Sequence, residues 1–148
     1  MYSETVTVFN KLQQGQVITW YPTVLHNVDL NVDKGANVTK TGLESADTAK
    51  LHIKYAVVDG DITIKGKKYK RPKEWTAQAA GVHADTITFT SKDFFIRGEY
   101  PEIPVNDADP AYKPGFYDYI NKTCDDVYLI TTVGGPYKLI PHFEIGGK

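Results

Sequence analysis

Short segments that alternate apolar and polar residues recur along this chain, and a period of two restricts it to a fold built from sheets. The pattern is cleanest in HNVDLNVD, where Val28, Leu30 and Val32 share one face and Asn27, Asp29, Asn31 and Asp33 the other. Successive side chains on a strand point to opposite faces, so such a segment has one dry side and one wet side. Val6 and Val8 in TVTVF, Leu51, Ile53, Tyr55 and Val57, Ile62 and Ile64 beyond the Asp59-Gly60 hairpin signal, and Ile87 and Phe89 in DTITFT repeat the pattern. Val17 to Leu25 is also extended, and Pro22 within it removes a ladder donor, which places that strand at an edge or a bend. Asp93 to Arg97 is a further apolar run ending at Gly98.

Helix signals are few. Pro114 suits a first helical turn, after which Phe116, Ile120 and Cys124 fall four apart on one face, with Asp118 early and Lys122 late as the helix dipole prefers. Pro72 to Ala80 is a second short candidate, stopped by Gly81. After the first helix come two strand signals around a Gly-Gly-Pro turn. The expected fold is therefore mainly β: an antiparallel β-barrel or sandwich with one or two short helices and long loops.

At 148 residues the chain is expected to form a single β-rich domain, 1–148. Two stretches stand out from it. Residues 34–49 are poor in large apolar side chains and read as a long loop, and the proline-rich segment 99–114 reads as an arm lacking backbone donors at intervals. The formal net charge of −1 argues against a general polyanion binder, since non-specific affinity for nucleic acid comes from an excess of Lys and Arg. The opening MYSETVTVF lacks the basic and apolar regions of a signal peptide, and no stretch approaches the roughly 20 apolar residues of a membrane span. A soluble protein made in the cytoplasm, with no membrane partner, is expected.

No arrangement of residues specifies chemistry. Asp29, Asn31 and Asp33 have the spacing of a calcium loop, but Lys34 and Lys40 stand where that loop needs Gly and a bidentate Glu. His26, His52, His83 and His142 are far apart, and the lone Cys124 offers them no soft partner. Neither a phosphate loop nor a nucleophile elbow occurs. No catalytic, metal or cofactor residues are therefore expected, and an enzyme with a site assembled from His26, His52 or His142 is the weakest reading. The sharpest charge feature is Lys65, Lys67, Lys68, Lys70, Arg71 and Lys73, interleaved with Tyr69 and followed by Trp75. These cations are candidates to face DNA or a partner protein, and a solvated hairpin that protects an edge strand is the plainer reading. In the arm, Tyr100, Ile103, Val105 and Tyr112 are spaced along a proline-stiffened segment that a neighbouring subunit could receive.

The segments ETVTVFNK, ITWYPTVLHNVDL, ITFTSKDFFIRGEY and GFYDYINKTCDDVYLITTVGGPYKLIPHFEIGGK together resemble a family of small proteins encoded in tailed phages and prophages of Gram-positive gut bacteria. The order of features, with a tryptophan-bearing second strand, a loop and the hairpin ITIKGKKY, also resembles the head-completion or stopper proteins that join a phage portal to its tail. That resemblance implies a virion structural protein of the neck, of stopper, adaptor or tail-terminator type, acting as an oligomeric ring. Its partners would be neighbouring copies and portal, adaptor or tail proteins, with at most weak contact with DNA. It implies no catalytic residue. The alternative is a β-barrel nucleic-acid or ligand-binding module that uses the basic hairpin 65–73.

Overall fold

The computed structural model describes residues 1–33 and 48–148. Among them run eleven strands: β1 (Glu4–Gln14), β2 (Val17–Val32), β3 (Ala49–Lys54), β4 (Ala56–Val58), β5 (Asp61–Ile64), β6 (Lys67–Tyr69), β7 (Thr86–Ile87), β8 (Phe94–Arg97), β9 (Val105–Asn106), β10 (Val127–Tyr137) and β11 (His142–Gly147). There are two α-helices, α1 (Pro72–Thr76) and α2 (Phe116–Thr123).

Six strands pair antiparallel in the order β1-β8-β10-β11-β3-β2, and β2 pairs back onto β1, so the sheet closes into a barrel. Closure removes the open edges that a flat sheet would present. Val6 and Val8 from β1, Leu51 and Ile53 from β3, Phe95 from β8, Ile130 from β10 and Phe143 and Ile145 from β11 belong to one buried core. A bulge in β2 reconciles two phases of its alternation. The ladder with β1 steps from Val6↔Leu25 to Glu4↔Val28, and Asn27 takes up the extra residue at φ 57°. Leu25 and Val28, an odd number apart, are thereby both buried in that core. Pro22 lies in the part of β2 between its pairing with β9 at Thr19 and Trp20 and its pairing with β3 from Asp29 onward. The missing donor is tolerated where that side of the strand has no ladder.

Between β3 and β8 the chain makes a second sheet, β4-β5-β6-β7, in which the last pair is parallel. Its Ile64 and Ile87, together with Phe89, join the barrel core. The return into β8 is fixed by Asp93, which is 1% exposed. Its carboxylate accepts from the backbone N–H of Lys11 at 2.8 Å, the Asn10 amide at 3.0 Å and the backbone N–H of Thr90 at 2.9 Å. Burial pushes this carboxyl up to about 6 despite those three donors.

A second core lies where β9, the arm and α2 cover other side chains of β1, β2 and β8. Phe9, Trp20, Phe94, Ile96, Val105, Phe116 and Ile120 form it, with Tyr100, Tyr112 and Cys124 packed against them. The arm buries apolar surface within its own subunit, because its rings meet Phe116: Tyr100 lies 5.8 Å and Tyr112 5.0 Å from that ring, both edge-on. One sequence expectation is corrected here. The Gly-Gly-Pro segment is not the hairpin turn. β10 continues through Gly134, Gly135 and Pro136, and the turn falls at 138–141. The ladder slips between Gly134↔Glu144 and Tyr137↔His142, and Gly135 absorbs the extra residue at φ +103°. The loop expected at 34–49 lies outside the described residues over 34–47, and Ala49 already belongs to β3.

Candidate interaction site

The basic run divides into two parts. Lys65 sits in the β5–β6 turn and donates to both carboxylate oxygens of Glu102, at 3.0 and 2.9 Å. Lys67 reaches across to the Thr23 hydroxyl at 2.8 Å, and burial lowers its pKa. Lys68 pairs with Asp61 at 3.3 Å on the outer surface of the small sheet. These three cations are engaged within the subunit. Lys70, Arg71 and Lys73 follow at the entry to α1, and no ion pair holds them among the described residues.

Glu102 ties the hairpin to the arm. Its carboxylate also accepts the backbone N–H of Val24 at 2.8 Å, satisfying a donor on the unpaired side of β2. Partial burial works against ionisation, but the Val24 N–H and the Lys65 ammonium hold the carboxyl below its usual range. Within the arm, Val105 is 7% exposed, while Tyr100 is pushed up to about 12 by burial and by its neighbour Tyr112. Ile103, at 67% exposure, is the arm's projecting apolar residue. Of the four candidate intersubunit residues, the other three are occupied with their own barrel.

Sequence reading missed the β10–β11 tip. Leu139 is 97% exposed and Ile140 65%. Beside it begins β4, whose Val57 and Val58 are 61% and 53% exposed. The two features meet through Tyr55, whose backbone N–H donates to Pro141 at 3.3 Å and whose hydroxyl donates to the Tyr137 carbonyl at 2.7 Å. β4 is also the edge of its sheet, paired only with β5. The tip thus lies beside the start of a strand edge that carries two further exposed aliphatic side chains. In sequence, residue 55 and residues 137–141 give no hint of that contact.

The barrel register also assembles a polar row that no short motif signals. Asp29 pairs with His52 across β2 and β3, and His52 with Glu144 across β3 and β11. His52 Nδ1 lies 3.4 Å from Asp29, and His142 Nε2 lies 2.9 Å from Glu144. The two imidazoles are 5.8 Å apart, edge to face. The Ile140 carbonyl and then Glu144 raise the His142 pKa. His26 is apart from this row, beside the Thr5 hydroxyl. Among the described residues no group of three or more His, Cys, Asp or Glu side chains is placed to hold a metal ion. No helix among them is long and apolar enough to cross a membrane.

Fold and site together define a small closed β-barrel with a four-stranded appendage, an aromatic outer layer and an apolar hairpin tip. The chain belongs to the family of unknown function DUF6751, whose model matches residues 1–148. No curated protein and no solved structure matches it.

Proposed function

We propose that this chain is a virion structural protein of a phage neck, joining head to tail as an oligomeric ring and acting by assembly without catalysis. The observation that supports this reading most directly is the apolar tip, where Leu139 and Ile140 stand bare next to the exposed edge strand carrying Val57 and Val58. Large aliphatic side chains clustered with an open strand edge are a liability in a free monomer and an asset at a subunit contact. A ring needs heterologous contacts in which one surface meets a different surface of the next copy, and a projecting hairpin suits that geometry. The resemblance of the sequence to phage neck proteins supplies the biological setting. Portal, adaptor or tail proteins are the further partners, and DNA passes with at most weak contact.

Negative-stain microscopy of the purified protein at high concentration tests the reading. Rings of uniform diameter are expected. Dispersed monomers at every concentration, with no incorporation into neck complexes, would remove its basis.

A further inference from the structure

One cation left free by the hairpin, Lys73, acquires neighbours from elsewhere in the chain. α1, the end of β1 and the turn at 90–92 enclose a hollow of about 370 Å³, and Lys11, Lys73 and Lys92 all line it. None of the three has an ion-pair partner among the described residues, and no carboxylate lines the hollow. Pro72 and Ala77 supply apolar surface. Trp75 is 1% exposed, and its indole Nε1 has no hydrogen-bond partner among the described residues. Thr90 and Ser91 add hydroxyls to the wall.

The walls are held at a fixed separation. Asp93 binds the Lys11 N–H on β1 and the Thr90 N–H on the turn with its two carboxylate oxygens, so both lysine-bearing segments are tied to one buried group. The Lys11 ammonium lies 5.8 Å from the Trp20 ring centroid. Three cations around a partly apolar depression repel one another and are relieved by an anion. A volume at the small end of ligand sites fits a compact molecule, with an anionic group at the rim and an apolar body within.

We propose that this hollow binds a nucleotide phosphate, with the phosphate among Lys11, Lys73 and Lys92 and the base against the apolar floor. The free nucleotide and the backbone of a single strand share this chemistry. The site is distinct from the hairpin run as a whole, since Lys65, Lys67 and Lys68 are engaged elsewhere, and it does not depend on ring assembly.

Calorimetric titration of the full chain with thymidine monophosphate, inorganic phosphate and a short oligothymidylate tests it. The monophosphate should bind about ten-fold more tightly than inorganic phosphate, and neutralising two of the three cations with Lys73→Gln and Lys92→Gln should weaken it by about ten-fold or more. Lys138→Gln, on the exposed hairpin tip, should bind as the parent does. Tighter binding of the oligonucleotide names a strand as the source, and equal binding names the free nucleotide. Absence of binding at millimolar concentration, inorganic phosphate binding as well as the nucleotide, or a Lys73→Gln/Lys92→Gln protein indistinguishable from the parent would each overturn the proposal. Lys73 and Lys92 are exposed, and circular dichroism of the double variant confirms that a loss is not unfolding.

Discussion

The arm at 99–114 and the tip at 138–141 both leave the barrel wall, yet one is covered and the other bare. The arm is rich in proline and polar residues, but Tyr100, Val105 and Tyr112 pack beside Phe116, and Glu102 is anchored by Lys65 and the Val24 N–H. The tip is short, and it holds Leu139 and Ile140 largely in solvent. Prolines limit the freedom an arm loses on docking, so a few rings suffice to hold it. A tight turn between two paired strands has no such option, because its position is set by the ladder on either side. The arm is therefore part of the monomer's fold, and the tip is left exposed.

The largest expected effect tests the covered half of that contrast. Phe116 is fully buried among Phe9, Phe94, Tyr100 and Tyr112, and Phe116→Ala should cost about 3–5 kcal/mol in chemical denaturation. Amide exchange should accelerate over 99–114 more than in β3 and β11. A cost below about 1 kcal/mol would mean that the aromatic layer is not a cooperative part of the fold.

A smaller loss is expected at the arm's polar anchor. Glu102→Ala leaves the Val24 N–H without its partner and frees Lys65, which should cost about 1 kcal/mol, since both charged side chains are about one third exposed and solvent screens the pair. Limited proteolysis should then cut first within the arm or at the β5–β6 turn. An unchanged cleavage pattern would leave the rings as the arm's sole attachment.

At the tip, pH provides a finer test. His142 donates toward the Ile140 carbonyl and Glu144, and those contacts raise its pKa above the ordinary 6.5. The charged form is favoured in the folded protein, so its stabilising contribution is complete below 6.5 and disappears as pH rises through the elevated folded value. Amides from Tyr137 to His142 should exchange more slowly, after correction for the intrinsic pH dependence, on the acid side of that window. Glu144→Gln should reduce the difference. His52, Tyr137 and Glu144 are the groups facing His142.

The smallest effect on stability belongs to the bare side chains themselves. Leu139→Asp combined with Ile140→Asp should change the unfolding free energy by no more than about 0.5 kcal/mol, because both side chains stand mostly in solvent. A large loss would show that the tip supports the fold and would dissolve the contrast with the arm.

The barrel core was legible wherever alternation was local. Val6 and Val8, Val28 and Leu30, and Leu51 and Ile53 are buried as their spacing requires, and Phe116 and Ile120 face inward from α2. Long-range register was not legible, because nothing local states that β8 lies beside both β1 and β10 or that β2 returns to close the cylinder. The same limit concealed the Asp29, His52 and Glu144 row and the contact of Tyr55 with Tyr137 and Pro141. Gly134-Gly135-Pro136 misled because the signals for a turn also serve a bulge inside a strand. Asp93 reads only as the start of the apolar run to Arg97, and its burial depends on Lys11 and Asn10 arriving from a strand some eighty residues earlier.

Sedimentation of the parent protein beside the Leu139→Asp/Ile140→Asp variant, over a wide concentration range, addresses the assembly claim most directly. The account predicts that the parent self-associates as concentration rises, while the variant keeps the same fold and remains a monomer. Identical sedimentation of the two proteins would contradict it.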